Sequence, residues 1–387
     1  MHSDNTKIMM KHITLFTLLF LFSFSLRAQV IYEPFESSKL GESRDIKIQL
    51  PRNYDAEEET LYPLIIVLDG DYLFEPVVGN TDYQSYWEDI PNCIVIGVNQ
   101  NETRDDDFFY AEETNLPYDE GADFFEFLGM ELIPYIQDKY MVSDFRIAIG
   151  HDLSANFINY YMFKDKPLFR AYVLLSPELA PEMTTFMGEK APLLDKNTFY
   201  YLATADDDVK GLKADILALD NAVKGVQNEF FHYRFDDFED ANHYSLVGLG
   251  IPKALNQIFS FYKPISKREY KEKVLEYEGS PFDYLVKKYE DIELFYGFEK
   301  KVVENDIRAI ASASKKKNDI ESLKQLAKLA QKTYPDSMIG AYYLGMYYEE
   351  DGNLKRALVT YQSALSLEES DHITKDMLLD KIYDLQD

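Results

Sequence analysis

One short stretch limits the folds open to this chain more than any other. Residues 146–156 read RIAIGHDLSAN. The apolar run at 147–149 is typical of a buried β-strand and leads directly into Gly150. A small residue follows at Ser154, and residues 157–163 form an apolar run that is typical of a helix. This order predicts a buried strand, a tight turn and a helix.

A strand, a tight turn and a helix form the nucleophile elbow of α/β-hydrolases, where the motif G-x-S-x-G raises a serine hydroxyl above the sheet. Here the motif reads Gly150-His151-Asp152-Leu153-Ser154. Aspartate therefore stands at the nucleophile position. Because aspartate tolerates the positive φ that such a turn demands, we expect the elbow backbone to form without its serine.

The remaining pattern predicts an α/β fold with a mostly parallel sheet and helices on both faces. Alternating residues predict two edge strands within 30–51, and apolar runs predict strands at 64–68, 94–98, 146–149, 171–175, 197–203 and 230–235. Helices are predicted at 121–140, 215–224 and 251–262. The acidic segment 101–119 is predicted to be a solvated loop, because its aspartates lack the spacing of an EF-hand.

Several segments resemble the putative esterase family, whose members include feruloyl esterases, S-formylglutathione hydrolases and siderophore esterases. They are YPLIIVLDG at 62–70, IVIGVNQ at 94–100 followed by Arg104, the helix beginning GADFFEFL at 121, and Asn242-His-Tyr-Ser245. The resemblance covers residues 45–263 and implies an α/β-hydrolase fold. These motifs are specific for the family and not for a substrate.

The resemblance gives the role of catalytic base to His243, which follows the last predicted strand. In this fold the acid precedes the histidine in the chain. We therefore expect the acid after the strand at 197–203, where Asp206, Asp207 and Asp208 lie. Any of the three could orient the imidazole. Asp206 and Asp208 are favoured.

The oxyanion hole of this fold uses two backbone N–H groups. One is expected from Leu153, directly after the elbow residue, and the other from the loop that contains Gly70 and Asp71. The carboxylate of Asp71 is an unfavourable neighbour for a developing oxyanion, because both groups are negative.

Asp152 removes the usual chemistry, because attack of a carboxylate on an ester would give a mixed anhydride. We expect Asp152 to form an ion pair with His243. Ser154 is no substitute, since it should enter the helix and face away. The sequence therefore predicts an esterase homologue that is inactive as a serine esterase and binds a small ester or another ligand in its cleft, or a protein.

The alternative is an active hydrolase, either a carboxylic-ester hydrolase or an enzyme that uses Asp152 as its nucleophile. Dehalogenase-like and epoxide-hydrolase-like enzymes place aspartate at this elbow. There the carboxylate attacks a saturated carbon, and a histidine activates water against the resulting ester.

Composition limits the partners and the location. The net charge of −28 argues against nucleic acid as a partner. Lys7 and Lys11 precede an apolar run at 13–26, which predicts a signal peptide over residues 1–28. We expect the chain to be exported to the periplasm or the medium. After the signal peptide is removed, no membrane span is expected. Cys93 is the single cysteine and should be a buried apolar residue. No metal or cofactor site is predicted.

The composition changes after the predicted hydrolase domain, residues 29–265. Residues 266–387 are rich in helix formers and show an internal period of 34. Leu344, Tyr348, Ala357, Tyr361 and Ala364 fall at tetratricopeptide offsets. A small all-α, tetratricopeptide-like domain is predicted, serving either as a helical stabiliser or as a docking surface for a protein partner.

Overall fold

The chain forms two compact units. A computed structural model describes residues 30–52 and 54–386. The first unit contains the described residues up to Ser85 together with Asn92–Gln257, and the second contains Tyr86–Pro91 together with the described residues from Ile258 onward. The predicted signal peptide lies outside the described residues. In the described part of the chain, no helix is both long and apolar enough to cross a membrane.

The first unit is built on an eight-stranded sheet in the order β1-β2-β4-β3-β7-β8-β9-β10. The strands are β1 Ile31–Glu36, β2 Ser43–Gln49, β3 Tyr62–Val67, β4 Ile94–Val98, β7 Val142–His151, β8 Ala171–Leu175, β9 Thr198–Asp207 and β10 Phe231–Asn242. All pairs are parallel except β1 with β2 and β2 with β4. The mostly parallel sheet and the pair of strands at its edge are confirmed.

Helices cover this sheet. They are α1 Phe74–Tyr86, α2 Arg104–Asp107, α3 Glu120–Phe127, α4 Ile133–Lys139, α5 Leu153–Ile158, α6 Met183–Lys190, α7 Lys210–Val223 and α8 Leu246–Ile258. The predicted helix at 121–140 appears as α3 and α4, joined by a π-helical segment at Leu128–Leu132. Its residues Phe124, Phe127 and Ile136 are buried in the core, as their helical spacing predicts.

The prediction of a solvated loop at 101–119 was wrong in part, although Asp105 and Asp106 are exposed as expected. This segment contains α2 and a short hairpin of β5 Tyr110–Ala111 with β6 Leu116–Pro117. Asp107 is buried, and its Oδ1 accepts a hydrogen bond from Arg44 Nη2 at 3.0 Å. A buried guanidinium requires a buried counter-charge, so this carboxylate belongs to the core and not to a solvated run.

The second unit is helical. Its helices are α9 Lys267–Glu269, α10 Pro281–Tyr296, α11 Glu304–Lys316, α12 Ile320–Thr333, α13 Ile339–Glu350, α14 Leu354–Ala364 and α15 Lys375–Asp384. Short connections join α11 to α12 and α13 to α14, which makes each pair antiparallel. Gly345 allows close packing, because a Cβ there would lie 2.3 Å from a ring carbon of Tyr361. The tetratricopeptide assignment stays a prediction.

Candidate functional site

The expected site residues gather at one edge of the sheet. Asp69, Asp152, Ser176, Asp208 and His243 follow or end β3, β7, β8, β9 and β10 in that order. In open parallel sheets, ligands bind outside the carboxyl ends of the strands. The topology therefore creates a polar cleft from residues that are distant in sequence.

The elbow has the strained backbone that its motif predicts. Asp152 adopts φ 62° and ψ −124° between β7 and α5. A Cβ on Gly150 would lie 2.6 Å from the backbone nitrogen of Ala155. Only glycine fits at this position, because the first turn of α5 passes directly over it. The strand, turn and helix therefore survive with a carboxylate at the apex.

Ser154 stabilises the elbow and does not reach the cleft. Its Oγ donates to the carbonyl oxygen of His151 at 2.9 Å and accepts from the His151 N–H at 2.8 Å. The side chain is completely buried. This confirms that Ser154 faces away from the site, and it shows which polar groups the hydroxyl satisfies.

His243 is held by an acid and a hydroxyl. Its Nδ1 lies 2.9 Å from Asp208 Oδ1 and 2.9 Å from Ser176 Oγ. Since Asp208 only accepts, Nδ1 carries a hydrogen, and in the neutral ring Nε2 carries the lone pair. Within residues 30–52 and 54–386, no protein group hydrogen-bonds to Nε2. This is the tautomer that a general base requires.

Asp208 is the aspartate that meets the imidazole. It also accepts from Thr204 Oγ1 at 2.6 Å and from the Val209 N–H at 2.8 Å. Burial acts to raise the pKa of Asp208, but the hydrogen bonds from His243, Thr204 and Ser176 outweigh it and lower the pKa to about 2. Asp208 is therefore ionised at neutral pH and orients the ring.

The structure places the other two acid candidates elsewhere. Asp206 is exposed and lies 3.5 Å from Lys213 Nζ. Asp207 is exposed at the end of β9. Neither is hydrogen-bonded to His243 in the described part of the chain, so Asp206 does not take the position that the sequence favoured. In an extended strand, successive side chains point to opposite faces, and only Asp208, in the following turn, reaches the cleft.

The neighbours of the Asp152 carboxylate do not include His243. Its Oδ2 is 3.5 Å from Arg104 Nη2. Arg104 is bound more tightly to Asp69, whose Oδ1 accepts from Nε at 2.7 Å. The expected ion pair between Asp152 and His243 is absent among the described residues. Arg104 provides the nearby cation instead.

Glu178 is the second neighbour of Asp152. Its backbone N–H donates to the Asp152 carbonyl oxygen at 3.1 Å. Burial raises the pKa of the Glu178 carboxyl group, and the negative charge of Asp152 raises it further, although the positive charge of Arg104 acts to lower it. The shift has this direction because two adjacent carboxylates repel each other.

His151 forms a second buried imidazole beside the first. The two rings have centroids 4.4 Å apart. His151 Nε2 donates to the carbonyl oxygen of His243 at 2.9 Å, and Nδ1 accepts from the Tyr72 hydroxyl at 3.0 Å. Burial lowers the pKa of His151 and favours this neutral form. The ring therefore positions the histidine loop and adds no charge to the cleft.

The backbone N–H groups expected to form the oxyanion hole differ in whether they have hydrogen-bond partners. The Gly70 N–H donates to the Val98 carbonyl oxygen at 2.8 Å, so Gly70 cannot serve. No described residue accepts a hydrogen bond from the N–H of Asp71 or of Leu153. The Asp71 carboxylate accepts a hydrogen bond from the Gln100 N–H at 2.6 Å. The N–H groups of Asp71 and Leu153 stay a prediction for the oxyanion hole, because they lie in the two chain segments from which this fold draws its donors.

The sequence did not identify several of these groups. Ser176, which has φ 44°, and Glu178 both follow β8 directly. The sequence signal for both residues was their position directly after a buried strand of a parallel sheet, where ligand sites form. His151 stood in the elbow motif itself, but its direction depends on the turn. Tyr72 gave no signal, because it is one of 30 tyrosines.

Comparison with known proteins agrees with this fold. The family model "Putative esterase" matches residues 37–218. An uncharacterised protein from Capnocytophaga ochracea DSM 7271 is 35% identical, with a TM-score of 0.81 over 92% of this chain and 99% of that one. No curated protein matches the chain.

Two further structures show the same fold at low identity. An IroE-like serine hydrolase from Shewanella oneidensis is 19% identical, with a TM-score of 0.60 over 79% of this chain and 99% of that one. The BES protein from Bacillus cereus is 21% identical, with a TM-score of 0.51 over 59% and 93%.

The fold and the site define an α/β-hydrolase followed by an all-helical region. Within that class, the chain belongs to the putative esterase family.

Proposed function

We propose that this chain is an exported esterase homologue that does not hydrolyse esters through a serine and acts by binding a ligand in the former catalytic cleft. The observation that carries the proposal is the Asp152 side chain. It occupies the apex of an intact elbow and lies 3.5 Å from Arg104, and the backbone carbonyl of Asp152 accepts a hydrogen bond from the Glu178 N–H. A carboxylate there repels the negative charge that an acyl-transfer intermediate develops.

The surrounding groups favour an ester or another carbonyl compound as the ligand. The N–H groups of Leu153 and Asp71 are unpaired among the described residues and can donate to a carbonyl oxygen. His243 Nε2 can accept from a hydroxyl group. A few converging polar groups of this kind fix the orientation of a small ligand.

The direct test uses purified protein and a panel of aryl esters with short, long and aromatic acyl groups. We expect no turnover above that of the His243→Ala variant, and we expect bound esters to raise the melting temperature. A ligand at a hundred times its Kd stabilises by about 2.7 kcal/mol, which a thermal-shift assay detects. Turnover that disappears in His243→Ala would overturn the proposal.

A gain-of-function variant tests whether the rest of the apparatus is intact. Asp152→Ser should create esterase activity, because the new hydroxyl would meet an oriented imidazole and two unpaired N–H donors. Loss of a triad member typically costs a factor of about 10⁴ or more. We therefore expect kcat/KM to exceed that of Asp152→Ser/His243→Ala at least a hundredfold, allowing for an unoptimised cleft.

Glu178 provides the follow-up to that experiment. Its carboxyl group would remain beside the new serine and would oppose a developing oxyanion when ionised. Glu178→Gln in the Asp152→Ser background should therefore raise turnover several-fold. If both variants stay inactive, the proposed role of the N–H pair and His243 is incorrect.

A second function is favoured by the open Nε2 of His243. In this alternative, an Asp152 oxygen attacks a saturated carbon and the halide leaves with the bonding electrons. His243 then takes a proton from water, which hydrolyses the ester at its carbonyl carbon and releases an alcohol. Intact-mass detection of an alkyl adduct, lost in Asp152→Asn, would establish it. No adduct across a broad set of alkyl halides and epoxides would reject it.

Export is proposed from residues 1–28 alone. Expression of the full sequence with a C-terminal tag, followed by fractionation and N-terminal sequencing, tests it. We expect a mature chain that begins near residue 29 outside the cytoplasm. An uncleaved chain retained in the cell would contradict the proposal.

A further inference from the structure

The second unit contains a cavity of about 730 Å³ that the esterase cleft does not involve. This volume falls in the range of about 300–1,000 Å³ typical of ligand sites. Residues from α11, α13 and the segments at 265–271 and 372–377 line it. The cavity is therefore formed by elements that are separated in sequence and packed together.

Its charge is opposite to that of the chain. The sequence has 68 acidic and 40 basic residues, yet no aspartate or glutamate lines the cavity. The basic residues in the lining are Lys267, Lys271, Arg308, Lys315 and Lys316. A concave surface that carries one sign of charge concentrates ions of the opposite sign. The lining is therefore suited to an anionic ligand.

Three of these cations have no carboxylate partner in the part of the chain that the structure describes: Lys267, Lys271 and Arg308. By contrast, Lys315 Nζ lies 3.3 Å from Glu350 Oε1, and Lys316 Nζ lies 5.0 Å from the ring centroid of Tyr270. The unpaired cations are exposed and can reach an incoming carboxylate at little cost in lost ion pairs.

The remaining lining is apolar and aromatic, with Ala309, Tyr342, Tyr343 and Met346 among its residues. Tyr343 is buried, and Tyr342 and Met346 are half-buried. Apolar surface beside unpaired cations suits a ligand that carries both apolar side chains and carboxylates. Methionine adapts to side chains of different shapes.

We propose that this cavity binds a short acidic peptide segment, with its carboxylates at Lys271 and Arg308 and an apolar side chain against Tyr342 and Met346. A short peptide fits better than a nucleic acid. A long polyanion would extend beyond the cavity into the field of a chain with net charge −28. The cavity's own cations act within the Debye length of about 8 Å at physiological salt.

The test measures fluorescence anisotropy of a labelled ten-residue peptide, in which glutamate alternates with leucine and serine, against the full chain. A matched peptide with glutamine in place of glutamate is the control probe. We expect saturable binding of the acidic probe that weakens as salt rises. The glutamine probe should bind at least tenfold more weakly, because it offers no charge.

Charge-reversal variants locate the site. Lys271→Glu and Arg308→Glu should each weaken binding of the acidic probe at least fivefold. Lys328→Glu, on α12, is the matched control, because Lys328 is exposed and does not line the cavity. It should change binding less than twofold. Lys271→Gln and Arg308→Gln should give intermediate losses, and they replace any reversal variant whose melting curve is altered.

Five results would overturn the proposal, the first four of them with peptide or phosphate probes. Those four are no binding of the acidic probe, equal binding of the glutamine probe, equal loss in Lys328→Glu and in the cavity variants, and full displacement of the peptide by millimolar inorganic phosphate. The last would show a small-anion site. Stronger competition by single-stranded RNA than by unlabelled peptide would point to a nucleic acid and would also reject it.

Discussion

Replacing Asp208 by asparagine should lower the stability of the first unit in a pH-dependent way. The pKa of Asp208 falls from an ordinary 3.8 to about 2 in the folded protein. Each pKa unit corresponds to about 1.36 kcal/mol, so the ionised carboxylate contributes about 2 kcal/mol at neutral pH. Because the folded-state pKa is the lower one, this contribution is complete above about pH 5. It is lost as the pH falls towards 2.

Asparagine keeps most of the local hydrogen bonds, so the charge is what changes. Its amide oxygen can accept from His243 Nδ1 and the Val209 N–H, which lie 2.9 and 2.8 Å from Oδ1. Its NH₂ group would face the hydroxyls of Ser176 and Thr204, which can rotate to accept. We therefore expect a folded variant that is about 2 kcal/mol less stable at pH 7.

Hydrogen exchange of peptides from β9 and β10, measured between pH 7 and pH 3 with intrinsic exchange rates corrected, reports this stability. Trp87 fluorescence would not report the stability of the first unit, because Trp87 belongs to the second unit. Asp206→Asn is the matched control, since Asp206 is exposed and should matter by less than about 0.5 kcal/mol. Equal losses in the two variants, or a loss for Asp208→Asn that persists unchanged at pH 3, would refute the reasoning.

Three packing predictions follow. Gly150→Ala should cost at least ~2 kcal/mol in urea unfolding, because its Cβ would lie 2.6 Å from the Ala155 nitrogen. Ser154→Ala should cost about 1–3 kcal/mol by the same measurement, since the His151 N–H loses its acceptor and the His151 carbonyl oxygen keeps only Arg104 as a donor, while ligand binding in the cleft persists. Gly345→Ala should lower the melting temperature of the second unit, followed by Trp87 fluorescence, because its Cβ would meet the Tyr361 ring at 2.3 Å.

The sequence predicted the features that depend on local pattern. Strands β3, β4 and β8 are buried along their whole length, and a strand buried on both faces gives a continuous apolar run. The elbow could be predicted from the sequence because its turn requires glycine at position 150, and the chain has Gly150 there. His243 could be predicted because it follows the last strand, and the catalytic groups of this fold occur in a fixed order along the chain. Each signal comes from a few adjacent residues.

The features that depend on distant partners were not predictable in the same way. Three consecutive aspartates at 206–208 are equivalent in composition, and only contacts with Ser176 and His243 distinguish Asp208. Similarly, Asp107 is the last residue of an acidic run that looks solvated, and Arg44 makes it a core residue. In each case the deciding partner lies more than 30 residues away.

The presence of a well-formed His243–Asp208 pair is weak support for activity, because the pair also stabilises the fold. Asp208 accepts from Ser176 after β8, from Thr204 in β9 and from His243 after β10. It therefore joins the ends of three neighbouring strands. A chain that lost its nucleophile would still lose about 2 kcal/mol on losing this anion.

Catalytic activity requires a proton acceptor within reach of a nucleophile, whereas folding stability does not. Nε2 of His243 contributes nothing to the hydrogen bonds that hold the loop, because those use Nδ1 and the backbone oxygen. Asp208→Asn measures the structural role of the pair, and Asp152→Ser measures whether Nε2 is still placed for chemistry. If only the first variant has an effect, the imidazole remains as a structural group in a binding cleft.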